Sequence, residues 1–370
     1  MKKVILSGGG TGGHIYPAVA VAEALKRRHG DNIEILFVGA EGKMEMEKIP
    51  ALGYKIVGLP IWGLQRRLTL KNLALPLHVA KSVIKAREVL KMFKPDAVAG
   101  FGGYASAPIL WTAQRDGIPT VIQEQNSYAG MANKVLSKRA LAICVAYDGM
   151  ERFFPAEKLV MTGNPLRGSF YKHGEPAADR KEALEYYGFT PDLPVLLIVG
   201  GSLGTRTLNN MMKSWIVTLG GDAPVQVIWQ TGKFYDAEMS AFTDTYPTAN
   251  IRRVPFIERM DYAYAAADLV ISRSGACTVS ELCLAGKPTI FVPSPNVAED
   301  HQTKNDRALA DKGAAELVAD ADAVENCMDL ALKLLANPKR LKTLSANIRK
   351  LAIDDSAERV AAQIEKVLGL

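Results

Sequence analysis

The chain begins twice. Val4-Ile5-Leu6-Ser7 runs into Gly8-Gly9-Gly10-Thr11-Gly12-Gly13-His14, and the apolar run 195–199 enters Gly200-Gly201-Ser202-Leu203-Gly204-Thr205-Arg206. The first glycine loop is followed by a helix-period pattern, with Pro17 near its start and Val19, Ala20, Ala24 and Leu25 along it. Strand, glycine loop and helix start form the opening of a βαβ unit, whose ligands sit at the carboxyl ends of the strands. A chain of 370 residues exceeds the usual single-domain size. Two such openings therefore predict an α/β protein of two Rossmann-like domains facing each other across a cleft. Thr162-Gly163-Asn164-Pro165-Leu166-Arg167 carries the turn signal expected of a hinge. The expected division is 1–163 and 164–349, with the last helix, about 350–370, packing back on the first domain.

A further unit lies at Asp268–Gln302. Leu269-Val270-Ile271 reads as a strand that stops at Ser272-Arg273-Ser274-Gly275. A helix with Val279, Leu282 and Cys283 on one face follows, Gly286 ends it, and 289–292 is the next strand. Free backbone N–H groups at the helix start, with Arg273 beside them, suit an anion. Gly275 permits close approach, Ser274 and Thr278 add hydroxyls, Glu281 suits two ribose hydroxyls, and Gln302 suits sugar hydroxyls. An ordinary βα turn whose Arg273 forms an ion pair is the alternative.

His14, within the first loop, is placed as a base or substrate contact, or else as a hydrogen-bonded structural residue. Phe101-Gly102-Gly103-Tyr104 is a second glycine turn after the strand 95–100. Gln123-Glu124-Gln125-Asn126 follows the apolar 118–122, and four long polar residues there are costly unless they meet water, each other or a ligand. Glu124 and Asn126 are thus candidates, with a structural turn as the alternative. The glycine loop is a poor dinucleotide fingerprint, because only Glu41 stands near the acidic position that NAD binding asks for.

The net charge of +6 is uneven. Between Ile61 and Lys94 stand Arg66, Arg67, Lys71, Lys81, Lys85, Arg87, Lys91 and Lys94 against Glu88 alone, interleaved with Trp62 and several leucines. That mixture suits an anionic membrane surface, or a core helix with a solvated basic face. No nucleic-acid motif accompanies it, so nucleic acid is not an expected partner. No apolar run approaches the roughly 20 residues needed to span a bilayer, and the Lys2-Lys3 start leads into a run too short for a signal core. The cysteines (144, 277, 283, 327) form no CxxC pair and read as reduced thiols. No His/carboxylate cluster suggests a resident metal, and no cofactor is expected, although divalent-ion dependence stays open.

At GGGTGGHIYPA (8–18), FGGYASAP (101–108), EQN (124–126), GNPLR (163–167), GGSLG (200–204) and SRSGACTVSE (272–281), the chain resembles the family 28 glycosyltransferases of peptidoglycan synthesis. The resemblance spans almost the whole chain, in order. It implies the GT-B fold, UDP-N-acetylglucosamine as donor and lipid I as acceptor, giving lipid II by a single inverting displacement. It assigns the donor to Thr11, Gly12, Gly13, Asn126, Arg167, Ser202, Ile257, Arg273, Ala276, Cys277, Thr278, Val279, Ser280, Glu281 and Gln302. It places the acceptor pyrophosphate at the loops Gly8–Gly13 and Gly102–Gly103, with Tyr104 beside them. His14 is then the first choice of general base and Glu124 the second. It further implies a peripheral protein on the cytoplasmic side of the inner membrane, with cell-wall synthesis proteins as possible partners. Two positions depart from the pattern: Leu203 stands where many relatives carry Gln, and Tyr16 replaces the commoner Phe. Rival readings are a UDP-N-acetylglucosamine 2-epimerase-like enzyme and a non-catalytic sugar-nucleotide-binding scaffold.

Overall fold

The computed structural model describes residues 1–61, 75–166, 171–172, 175–176, 178–201, 203–296 and 301–370. Arg167, Ser202 and the 62–74 part of the basic stretch lie outside the described residues. Two compact units are formed, Met1–Arg167 with Asp355–Leu370, and Gly168–Asp354.

In the first unit the order is β1 (Lys2–Ser7), α1 (Gly12–His29), β2 (Ile33–Ala40), α2 (Glu45–Ala51), β3 (Lys55–Leu59), α3 (Leu75–Phe93), β4 (Ala97–Gly100), α4 (Ser106–Arg115), β5 (Thr120–Glu124), α5 (Met131–Leu136), β6 (Ala142–Val145) and β7 (Leu159–Met161). A small antiparallel pair, β8 (Tyr171–Lys172) and β9 (Glu175–Pro176), opens the second unit. It continues through α6 (Arg180–Tyr187), β10 (Val195–Val199), α7 (Arg206–Leu219), β11 (Gln226–Gln230), α8 (Asp236–Thr245), β12 (Ile251–Val254) and α9 (Met260–Ala266). Then come β13 (Leu269–Ser272), α10 (Ala276–Ala285), β14 (Thr289–Phe291), α11 (His301–Ala310), β15 (Glu316–Leu317), α12 (Ala323–Leu335) and α13 (Pro338–Arg349). The last helix, α14 (Ser356–Leu368), belongs to the first unit.

Both large sheets are parallel throughout, with orders β3-β2-β1-β4-β5-β6-β7 and β12-β11-β10-β13-β14-β15. Parallel sheets need cover on both faces, and the strand sequences provide for it. Val4 and Leu6 of β1 face a core shared with α1 and α14, while Ile5 faces one shared with α3 and α4. In the second sheet Leu196, Ile198, Trp229 and Ile271 pack under α7 and α12. On α14, Val360, Ala361 and Ile364 join the core beneath α1. Its rim is fixed by ion pairs from Arg28 to Glu358 (2.5 Å) and Glu365 (2.7 Å), and by a hydrogen bond between His29 Nε2 and Glu365 (2.7 Å).

Gly286 ends α10 in the left-handed conformation, its N–H returning to the carbonyls of Leu282 and Cys283, which is the stop that its sequence position suggests. The short strands β3, β7 and β15, each at or near a sheet edge, go unplaced by the sequence reading. All four cysteines are free thiols. Among the described residues no helix is long and apolar enough to cross a membrane.

Candidate active site

In each sheet the strand order reverses at its first strand, β1 between β2 and β4, and β10 between β11 and β13. Loops leaving such a pair in opposite directions open a crevice at the carboxyl ends. The glycine loops singled out in the sequence stand at these two points.

In the first unit, the loop after β1 meets the loop after β4. The Phe101 N–H donates to the Ser7 carbonyl (2.7 Å), and the Ser106 hydroxyl lies 2.8 Å from Ser7 O and 2.7 Å from Gly102 O. Gly103 has φ +83, and a Cβ there would collide with the Gly9 carbonyl. Only glycine allows this approach. Against Gly102 lies the ring of His14, close enough that an added Cβ would stand 2.9 Å from Cδ2 and 3.1 Å from Nε2. His14 Nδ1 is 3.1 Å from Gly9 O and 3.2 Å from the Thr11 hydroxyl. A carbonyl oxygen can only accept, so Nδ1 carries the hydrogen and, in the neutral ring, Nε2 holds the lone pair. Thr11 is the N-cap of α1, Gly12 and Gly13 form its first turn, and Tyr104 is exposed beside the loop.

Glu124 ends β5 and is buried. Its carboxylate accepts from the N–H groups of Asn126 (3.1 Å) and Gly130 (3.1 Å) and from Asn133 Nδ2 (2.8 Å), with Asn126 Nδ2 at 3.4 Å. Burial raises its pKa, and these donors pull the other way. The group thus ties the 124–133 loop together. Gln123, Gln125 and Asn164 meet each other: Gln125 Nε2 reaches Phe101 O (2.6 Å), Gln123 Nε2 reaches Asn164 Oδ1 (3.1 Å), and Asn164 Nδ2 returns to Gln125 O (3.1 Å).

In the second unit the same device recurs with different partners. Gly204 and Gly232 are in backbone contact, so that a Cβ on either would collide with the other. The Gln230 side chain braces the loop, accepting from Gly200 N–H (2.9 Å) and donating to Gly201 O (2.9 Å). Across the switch point α10 begins at Ala276 with Gly275 as an N-cap that has no side chain and with no acidic residue in the first turn. Ala276, Cys277, Thr278, Val279, Ser280 and Glu281 make up its first six residues. Glu281 is half-buried and accepts from the Tyr264 hydroxyl (3.1 Å); burial pushes its carboxyl up to about 7, against that hydrogen bond. Cys277 is likewise pushed up to about 12 by burial, so its thiol stays protonated. Ile257 is buried in the turn after β12, and Gln302 Oε1 accepts from Ser294 N–H (2.8 Å).

Arg273 is held by groups of its own unit. Its guanidinium donates to the carbonyls of Val292 (2.8 Å) and Pro293 (3.0 Å) and pairs with Asp320 (2.6 Å). The charge that the sequence suggests for an incoming anion is met inside the unit. Ser274 is buried on Asp306 (2.5 Å). The sequence reading also missed two braces, Gln230 and Glu45. Glu45 is fully buried and accepts from Gly10 N–H (3.0 Å) and Ala40 N–H (3.0 Å). Among the described residues no three His, Cys, Asp or Glu side chains cluster as metal ligands would.

Comparison with known proteins bears on this geometry. Residues 4–145 match the glycosyltransferase family 28 N-terminal domain, and 195–360 the glycosyltransferase family 28 C-terminal domain. The chain is 51% identical, over 366 residues, to the UDP-N-acetylglucosamine–N-acetylmuramyl-(pentapeptide) pyrophosphoryl-undecaprenol N-acetylglucosamine transferase of Parabacteroides distasonis, covering 99% of this chain and 98% of that protein. It is 52% identical over 369 residues to the protein of the same name from Porphyromonas gingivalis, covering 99% and 96%. The crystal structure of Acinetobacter baumannii MurG superposes with a TM-score of 0.79 at 32% identity, covering 99% of this chain and all of that one.

Proposed function

The chain belongs to glycosyltransferase family 28, and on that premise we propose that it moves N-acetylglucosamine from UDP-N-acetylglucosamine to the muramyl 4-hydroxyl of a pyrophosphoryl-undecaprenol-linked muramyl pentapeptide. The observation that carries this reading is identity of about half over nearly the full length of relatives bearing that activity in their names. The two glycine loops at the switch points are consistent with it.

The second unit holds the nucleotide. The N-terminus of α10 faces the diphosphate with its helix dipole, and Glu281 accepts from the ribose hydroxyls. With Arg273 paired to Asp320, the backbone N–H groups at the start of α10 stabilise the charge that develops on the leaving UDP. Ile257 offers its backbone to uracil, Gln302 lies by the sugar, and Asn126 and the Thr11–Gly13 turn complete the donor contacts. The loop at Gly102–Tyr104 receives the acceptor pyrophosphate. His14 Nε2 takes the proton of the attacking hydroxyl; the oxygen bonds to the anomeric carbon, and the bond to the diphosphate breaks with its electron pair leaving on UDP. Glu124, turned onto its own loop by several donors, is the weaker base.

The acceptor is membrane-anchored, and α3 exposes Val79, Ile84 and Met92 beside Lys81, Arg87, Lys91 and Lys94. That face suits an anionic leaflet, and the protein works as a peripheral one on the cytoplasmic side of the inner membrane.

The test measures UDP release from UDP-N-acetylglucosamine with and without a lipid-linked muramyl pentapeptide. Release only with the acceptor supports the transferase. Release without it points to an epimerase-like activity, and binding without release to a scaffold.

A further inference from the structure

The glycine loop of the first unit carries a buried charge that the reaction as written does not use. Glu45 Oε2 accepts from Gly10 N–H at 3.0 Å, and Oε1 accepts from Ala40 N–H at 3.0 Å. The carboxylate is wholly shielded from solvent. Space for it is made by two residues without side chains. A Cβ on Gly9 would collide with the carboxylate, and one on Gly39 would stand 2.6 Å from Glu45 Cγ. A buried carboxylate is costly to keep unless it is hydrogen-bonded, so its presence under a catalytic loop invites an explanation.

The connection lies in one peptide group. The N–H that Glu45 accepts and the carbonyl that His14 Nδ1 meets (3.1 Å) belong to the same unit, Gly9 C=O joined to Gly10 N–H. An amide is a conjugated system. A charged acceptor on its N–H draws the proton outward and leaves more electron density on its oxygen, which strengthens the hydrogen bond accepted there. We propose that Glu45, the Gly9–Gly10 peptide and His14 form a carboxylate–peptide–imidazole relay, in which Glu45 is a positioning residue that fixes the Nδ1–H tautomer of His14 and supports the imidazolium formed during transfer. The arrangement does by way of a peptide what a direct carboxylate partner does for the histidine of a Ser-His-Asp triad. It rests on the reading of His14 as the base. When Nε2 receives the hydroxyl proton, the positive charge on the ring faces a peptide already polarised toward it. The proton then passes to solvent and the ring returns to the neutral Nδ1–H form.

The experiment compares Glu45→Gln, His14→Ala and the double variant in the full chain, with the lipid-linked acceptor and UDP-N-acetylglucosamine. Glu45→Gln removes the charge while keeping the volume. It is expected to lower kcat on the order of 10-fold, far less than the roughly 10⁴-fold cost of removing a directly bonded triad carboxylate, because the charge acts through a peptide, with the donor KM within about twofold. In the His14→Ala background the same substitution is expected to change nothing further. If it lowers kcat equally there, Glu45 merely supports the loop and the relay is wrong. If His14→Ala keeps full kcat, the base reading itself has failed, a result distinct from additivity. A second measurement needs no Glu45 variant: 15N-histidine spectra of the unsubstituted protein, with His14 assigned among the five histidines by its loss in His14→Ala. The relay expects neutral His14 with its hydrogen on Nδ1, and a hydrogen on Nε2 overturns it.

Discussion

The two glycine loops have the same form and different braces. After β1, the loop is pressed by Gly103 and held from beneath by a carboxylate, Glu45, with His14 turned back onto it. After β10, the loop is pressed by Gly232 and held by a neutral amide, Gln230, which both donates and accepts. The backbone device is the same, while the charge differs. On the proposed reading, the loop beside His14 has a carboxylate behind it, and the loop assigned to the donor has a neutral amide.

The largest break in this comparison is expected from His14→Ala. Loss of a general base costs 10²–10⁴-fold in kcat, measured as transfer to the lipid-linked acceptor, while the fold is kept. Next come Gly103→Ala and Gly232→Ala. Each forces a residue with a side chain into positive φ and a backbone collision, with strain on the order of 1–3 kcal/mol visible as a lower melting temperature. The comparison is sharpened if the first mainly lowers turnover and the second mainly weakens donor binding.

A smaller effect is set by pH. On the proposed reading, ribose hydroxyls bind the ionised form of Glu281, whose carboxyl burial pushes up to about 7. Donor affinity is then expected to rise with pH through 7 and to be roughly tenfold weaker at pH 6 than on its plateau, with Glu281→Gln flattening the profile. Because the folded value lies above the ordinary 4.5, this group makes the unliganded protein less stable as pH rises from 4.5 to 7, so donor and stability profiles run in opposite directions. Least is expected of Glu365→Ala on α14. Its partners Arg28 and His29 are partly exposed, so about 1 kcal/mol or less is lost, read from denaturant unfolding, with transfer unchanged.

Much of this was legible from residues that are close in the chain. The apolar runs at 4–6 and 195–199, the glycines after them and the Gly286 stop each report a local conformation, and the two sheets follow. The short strands β3, β7 and β15 were not legible, because two to five residues at a sheet margin carry too little periodicity to stand out. The site's polar partners were hidden for a different reason. Glu45 reaches a backbone N–H 35 residues earlier, and backbone donors leave no mark in side-chain pattern. The partner of Arg273, Asp320, was hidden because it lies beyond α10, β14, α11 and β15. Glu124 was flagged by the cost of burying polar groups, and that cost is met by its own loop.

The division of labour is tested most directly by measuring UDP-N-acetylglucosamine affinity by calorimetry, alongside single-turnover transfer, for His14→Ala and Gln230→Ala. The account predicts near-normal donor affinity with collapsed turnover for His14→Ala. For Gln230→Ala, which loses hydrogen bonds worth about 1 kcal/mol each, it predicts donor binding weakened several-fold or more. Equal losses of affinity and turnover in His14→Ala, or unchanged donor binding in Gln230→Ala, would contradict it.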